Sequence, residues 1–257
     1  MIENILKRAL GAKDPETWPL GDESWPVVIQ RRPSAKRITI RVCSLTDTLR
    51  MTAPQKCSTK TLRTVLHDHT SALTQRVKEL PPRQPFLDQA TLPFLDGTVR
   101  LSHRPGQPTR WEPVEGEADQ PLEHLIIGGR EEHLPRRARD AFRKRAKEDL
   151  TLSCKKAWEQ ASKTHHLRPI RRISLSDTRG RWGSCSSDGT LRFSWRLIFA
   201  PQWVFDYVAA HEVAHLAEMS HSPRYWAVVA SITPEAKAAR QWLKRYGSQI
   251  QRIGPAI

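Results

Sequence analysis

Two histidines four residues apart, with a glutamate directly after the first, stand out as the residues best suited to chemistry: His211-Glu212-Val213-Ala214-His215. On a helix, positions four apart differ by only about 40° round the axis, so both imidazoles leave from one face. Each can then approach a single cation at about 2.0–2.1 Å. Glu212 sits one step round the helix, where its carboxylate can reach a water on that cation without filling a coordination position. With 10 His and 15 Glu among 257 residues, random placement expects only about 0.02 such patterns. Chance does not account for this one.

A catalytic zinc site takes three protein ligands and keeps a fourth position for water. His221, in Ser220-His221-Ser222-Pro223, lies where the chain should turn back after the helix, and it is the favoured third ligand. Glu218, about 300° round the same helix from His215, and Glu235, on a later helix, are its rivals. Three neutral imidazoles leave the ion its full charge, which lowers the pKa of bound water towards about 7. Glu212 is then the general base, taking the water's proton during attack on a polarised carbonyl and passing it to the leaving group. The expectation is one Zn2+ per chain and a metallohydrolase. An oxyanion stabiliser besides the metal is also expected, with Tyr225, Arg224 and Arg181 as candidates.

The elements that must position these groups can be read from apolar periodicity. Pro201 starts a helix running to about Ala217, with Val208, Ala209, Val213, Ala214 and Leu216 flanking the motif. Two further helices come near Pro223–Ser231 and Pro234–Tyr246. Before them, Pro135 opens a helix of roughly 28 residues to about Lys163. Strands at Ile170–Ser176 and Thr190–Trp195 bracket Arg181-Trp182-Gly183-Ser184-Cys185-Ser186. Earlier in the chain, alternating patterns at Val27–Ile29, Arg37–Val42 and Thr48–Met51 predict half-buried strands. Ser58 or Thr59 should cap one helix through Glu79. Asp96-Gly97 between two apolar runs predicts a hairpin. Residues 104–121 read as an acidic, proline-rich loop, and Leu122–Ile127 as a returning strand. No internal repeat is expected. The resulting organisation is α+β: a loose extension over 1–26, a β-rich region with one helix over 27–129, and a helical domain with a small sheet over 130–257.

Composition narrows the rest. Cys43, Cys57, Cys154 and Cys185 form no Cys-x-x-Cys pair, so they supply neither a disulfide framework nor a zinc ribbon. No apolar stretch is long enough to span a bilayer, and the N-terminus lacks a secretory pattern, so no membrane association and a cytoplasmic location are expected. The net charge of +15 is the outlier. Residues 130–181 hold 16 Lys/Arg against 7 Asp/Glu, whereas 87–129 hold 3 against 7. A basic face of this kind attracts polyanions, nucleic acid among them.

The chain resembles the YgjP-like metallopeptidases, relatives of the SprT-like and Wss1-like zincins. The resemblance is carried by Arg181-Trp182-Gly183-Ser184-Cys185-Ser186, Trp195-Arg196-Leu197-Ile198 with Pro201, His211-Glu212-x-x-His215-Leu216, and His221-Ser222-Pro223-x-Tyr225-Trp226. It is strong over about residues 130–235 and weaker, but in register, over 27–103, including Ser34-Ala35-Lys36-Arg37-Ile38. Ser194 stands where the family often has Asn, and Tyr225 where it often has Phe. The resemblance implies a zincin-like catalytic domain over 130–257, with His211, His215 and His221 on zinc, Glu212 as base, and a protein or peptide as substrate.

The Arg181–Ser186 segment is then expected to line the substrate cleft. An edge strand there would pair with extended substrate, Gly183 would let its backbone approach, and Trp182 would wall the site. Tyr225 is a further cleft candidate. Cys185 is expected to be packed rather than to approach the metal. Two other readings remain: a protease recruited to nucleic acid through the basic 130–181 face, as in the SprT-like and Wss1-like relatives, and a non-catalytic, zinc-stabilised binding module. Oligomeric state is not legible.

Overall fold

A computed structural model describes residues 16–20, 23–113, 122–177 and 180–255. The chain divides into two compact units, one up to Pro82 and one over Arg83–Pro255.

The first unit is a four-stranded sheet with two short helices. Strands β1 (Glu16–Leu20), β2 (Glu23–Arg32), β3 (Thr39–Cys43) and β4 (Thr48–Pro54) lie in the order β1-β2-β4-β3. β2 and β4 run parallel and the outer strands antiparallel. Part of the extension expected over 1–26 is therefore strand, while residues 1–15 lie outside the described region. Trp18 and Leu20 alternate into the core with Thr17 and Pro19 facing out. Proline on an edge strand costs no ladder bond, so Pro19 hid the alternation without preventing the strand.

The single helix expected through Glu79 is two, α1 (Thr59–Asp68) and α2 (Thr70–Lys78). Ser58 caps α1, its Oγ accepting from the Thr61 amide at 3.0 Å. At the break, His69 leaves helical geometry (φ −108°, ψ 8°). There, His69 Nδ1 meets the Val65 carbonyl at 2.9 Å and Thr70 Oγ1 donates to the Leu66 carbonyl at 3.2 Å. These side chains compete with the backbone ladder, and the helix turns a corner. Leu62, Leu66 and Leu73 close the unit's core over Val27, Leu49 and Met51.

The second unit opens on another four-stranded sheet: β5 (Thr91–Phe94), β6 (Gly97–His103), β7 (Arg110–Pro113) and β8 (Leu122–Ile127), ordered β5-β6-β8-β7. The hairpin is present, but its turn is Leu95–Asp96, with Leu95 at φ 48° and Gly97 already in β6. Asp96 is used elsewhere, as its carboxylate accepts from the Gln202 amide at 2.9 Å.

Helix α3 (Leu134–Ala161) comes next and buries Leu134, Ala138, Phe142, Ala146, Leu150, Cys154, Ala157 and Ala161 as one stripe. Phe142 packs edge-on against Trp111, with ring centroids 5.4 Å apart, and lies 6.2 Å from Phe94. Arg145 pairs with Glu123 at 3.1 Å and with Asp149 at 3.0 Å. These contacts place the β5–β8 sheet with the helices, so the compact division falls after Pro82 instead of at 129/130.

A three-stranded sheet then forms from β9 (Arg172–Ser176), β10 (Gly183–Cys185) and β11 (Thr190–Ser194), ordered β10-β11-β9. A 3-10 turn over Trp195–Phe199 leads into α4 (Gln202–Ala214), succeeded by α5 (Pro223–Ile232) and α6 (Ala236–Gln251). Nine residues of α4 are buried, from Val204 to Ala214, as expected of a helix apolar on most sides. Arg196, 1 % exposed, bonds Asp177 at 3.0 Å and the carbonyls of Ile253 and Pro255, fastening residues 253–255 to the 3-10 turn. The class is α+β. Among the described residues, no helix is long and apolar enough to cross a membrane.

Candidate metal centre

Helix α4 places His211 in its last turn and His215 at its C-cap. The chain then turns, and Ser222 caps α5 by accepting from the Tyr225 amide at 3.3 Å. This return brings His221 back over α4. Nε2 of His211 and Nε2 of His221 are 3.3 Å apart. Two nitrogens each about 2.0–2.1 Å from a tetrahedral ion would lie about 3.3–3.4 Å apart. His215 completes the group: one nitrogen from each ring lies within 4.8 Å of the others. Among the described residues, these three are the His/Cys/Asp/Glu group that could hold a metal.

The neighbours fix how the rings point. His215 Nδ1 donates to the Glu218 carbonyl at 3.1 Å. A carbonyl only accepts, so Nδ1 carries the proton and Nε2 keeps its lone pair. Tyr207, one turn before His211, brings its hydroxyl 3.3 Å from His211 Nδ1. Tyr225 is fully buried and donates to the His211 carbonyl at 3.0 Å. Its ring lies 4.5 Å from that of His215 and edge-on to that of His221. Tyr225 therefore sits beneath the histidines and does not line the cleft. Burial, then the neighbouring His215, His221 and Arg240 charges, pushes His211 down to about 4. Burial lowers His215 as well. Both rings are thus held neutral, the form that binds a metal, and the donor set fits such an ion.

Neither rival carboxylate belongs to this group. The Glu218 carboxylate accepts from the Ser220 amide and hydroxyl at 3.1 and 2.9 Å. Glu235 stands at the N-cap of α6. Cys185 contacts the Ser186 carbonyl through its thiol, and burial, then the Glu212 charge, pushes it up to about 11.

A cleft of about 320 Å³ opens beside the histidines, lined by Arg181, Trp182, Gly183, Tyr207, Val208, His211, Glu212, Arg240 and Leu243. The other three expected cleft residues, Arg181, Trp182 and Gly183, do line it. Gly183 has a task besides the one anticipated. A Cβ at this position would come 2.4 Å from Glu212 Oε1 and 2.6 Å from its Cγ. The space under Gly183 is filled by the Glu212 side chain, not left for substrate. Glu212 itself is 4 % exposed. Burial pushes its carboxyl up to about 8, with Arg181 pulling it back. A cation held by the histidines would lower it further.

Two polar lining groups, Tyr207 and Arg240, are not among the residues that the sequence singles out. Tyr207 was findable, because it precedes His211 by the same four-residue step that joins the two motif histidines. Arg240 was not, since nothing local to α6 marks it.

Arg168 ties the ligand turn to the small sheet. Its guanidinium donates to the carbonyls of His215 (3.1 Å) and Leu216 (3.2 Å), and to that of Ser187. The profile of the family described as YgjP-like, metallopeptidase domain matches residues 36–246. The chain belongs to the YgjP-like metallopeptidase domain family. Comparison with curated proteins and with solved structures gives no significant match in either case.

Proposed function

We propose that this YgjP-like chain is a zinc-dependent peptidase, with His211, His215 and His221 holding the ion and Glu212 as general base. The observation that carries the reading is the 3.3 Å approach of the His211 and His221 Nε2 atoms at the wall of a cleft that Glu212 also lines. When bound, zinc would supply Lewis acidity, polarising a carbonyl and lowering the pKa of water. Glu212, outside the ligand group but one residue from His211, is placed to take a proton from water and deliver it to the departing amine. Substrate would lie along β10, which among the described residues pairs with β11 alone. Ser194 donates to the Trp182 carbonyl and Ser186 to that of Thr190. Hydrogen-bonded positions alternate along an antiparallel pair, so the amides and carbonyls of 183 and 185 point away from β11. An extended peptide could add there as a strand.

The test is metal content with hydrolysis. The purified chain should hold about one zinc and cut an unfolded protein, and Glu212→Gln should lower turnover by about 10²–10⁴-fold with zinc retained. A chain that folds without zinc in a zinc-replete preparation would sink the reading. A purely structural metal module accounts less well for Glu212, since such a site has no use for a buried carboxylate at the cleft.

A second reading has its own support. A separate cleft of about 610 Å³ is lined, among the described residues, by Arg110, Arg136, Arg137 and Lys144 with Trp111 and Asp140, Arg110 being paired with Glu112 at 2.5 Å. Cations interleaved with an aromatic suit a phosphate backbone with stacked bases. We propose nucleic acid as a partner at this site. Arg136→Ala/Lys144→Ala should weaken binding of a single-stranded oligonucleotide, and binding that ignores salt between 50 and 200 mM, on the order of the range where phosphate contacts respond, would end that proposal.

A further inference from the structure

We propose that the Tyr207 hydroxyl bridges ligand and substrate, holding His211 in the orientation a metal needs and giving its own proton to a backbone carbonyl of the bound peptide. This inference rests on the peptidase reading and adds a residue to that same site. Tyr207, His211 and His215 follow one another at steps of four, so the end of α4 presents them as one stripe. The Tyr207 and His211 ring centroids lie 5.8 Å apart, and the hydroxyl meets His211 Nδ1 at 3.3 Å. Tyr207 is 3 % exposed, so packing fixes its ring, and it lines the cleft beside the histidines.

The direction of that hydrogen bond follows from the ligand set. His211 Nε2 is the nitrogen turned to His221, 3.3 Å away, and hence the one that would take the ion. A neutral imidazole bound through Nε2 carries its proton on Nδ1. Nδ1 therefore donates and the Tyr207 oxygen accepts. His215 is oriented by the Glu218 carbonyl, an acceptor with no proton of its own, whereas His211 leans on a group that still has one. A tyrosine hydroxyl, with an ordinary pKa of about 10, keeps that proton at neutral pH. Among the described residues the hydroxyl's hydrogen-bond partner is His211, so its proton is left for what enters the cleft. The two nitrogens of an imidazole point to opposite sides of the ring. A hydroxyl on Nδ1 thus stands away from the ion and serves a peptide group next to the one being cut. β10 lies against α4 where Gly183 covers Glu212, and an extended peptide added to β10 presents carbonyls in alternating directions, one of which can meet the hydroxyl.

Tyr207→Phe removes only the oxygen. Zinc affinity, measured by competition with a chelator, should fall about 10- to 100-fold. The melting transition of the metal-free chain should hardly move, because the ring still packs. A measurement on the unaltered chain does not depend on how the variant folds. In zinc-loaded wild type, nuclear magnetic resonance should find a proton on His211 Nδ1 that exchanges slowly with water, and that exchange should quicken in Tyr207→Phe. The substrate contact is read by calorimetry on zinc-saturated Glu212→Gln protein with a capped, uncharged peptide, and with versions in which sulfur replaces one carbonyl oxygen at a time. At one position the swap should cost about three- to tenfold in affinity, and that cost should vanish when Tyr207→Phe is added. An Nδ1 without a proton would overturn the proposal, as would zinc affinity unchanged by Tyr207→Phe. Sulfur penalties that are the same at every position with and without the tyrosine oxygen would overturn it equally. Hydrolysis by the zinc-loaded wild-type chain reports separately on the peptidase reading, so the two can fail independently.

Discussion

Residues 17–54 and 91–127 run through the same topology twice. Each is a four-stranded sheet with an antiparallel outer pair, a parallel central pair and an antiparallel closing strand. The registers correspond as well: Trp18 opposes Trp25 where Leu92 opposes Val99, and Val27 opposes Leu49 where Leu101 opposes Leu125. Even the opening strands match, Thr17-Trp18-Pro19-Leu20 against Thr91-Leu92-Pro93-Phe94, with the same alternation of outward and buried residues. The helices that succeed the two sheets differ. After the first sheet the helix breaks at His69; after the second it runs unbroken for 28 residues, and its alanines admit α4. A sheet alone carries no chemistry; the second copy gains a site because the helix after it can bury the ligand-bearing one.

That contrast can be broken in four ways. Removing the metal should have the largest effect. With zinc about 1,000-fold above its Kd, binding adds about 4 kcal/mol to whatever holds it. Chelation should therefore lower the calorimetric transition of residues 83–255, abolish hydrolysis, and leave the transition of the first unit where it was. A first unit that melts earlier as well would show that the two do not unfold separately.

Next in size, Leu49→Ala and Leu125→Ala delete matching buried leucines and should each cost about 2–5 kcal/mol. Only Leu125→Ala should weaken zinc affinity, and equal losses of zinc from both variants would contradict the division of labour. Gly183→Ala ranks third, lowering kcat/KM by about 10²-fold as Glu212 is pushed aside, with little change in either melting transition. Normal turnover in that variant would show that the base tolerates displacement.

The smallest effect concerns Asp188. Its carboxylate accepts from Ser186 and Thr190 and pairs with Arg171 at 2.7 Å. These hydrogen bonds, led by that from Ser186, hold it down at about 2. A carboxyl lowered on folding stabilises above its unfolded pKa and loses that contribution as pH falls through the folded value. Asp188→Ala should thus be less stable than wild type at neutral pH, with the gap closing as pH falls from about 4 to about 2. A gap independent of pH would remove the charge from the account.

The candidate metal group was legible because its main spacing is local: one helical turn joins His211 to His215, and Pro223 marks the return that brings in His221. Strands announced by Val27–Ile29 and Thr48–Met51 were equally plain. The repeated topology was not legible: Pro19 and Pro26 disguised strands of the first sheet as a loose extension, and the two halves share few identical residues. The corner at His69 depended on side-chain competition for carbonyls, which apolar periodicity does not report. The Gly183–Glu212 contact and the place of Arg240 join positions roughly thirty residues apart, and only the packed chain brings them together.

Arg168 has a consequence for variation. The groups it gathers at Ser187, His215 and Leu216 are all main-chain carbonyls, so the tether is indifferent to which side chains stand at 187 and 216. Exposed Ser187 is thus free to drift and Leu216 is held only by the core that buries it, whereas a lysine at 168, with a single compact ammonium, could not span the same acceptors. The chain thus permits change on one side of that joint and forbids it on the other.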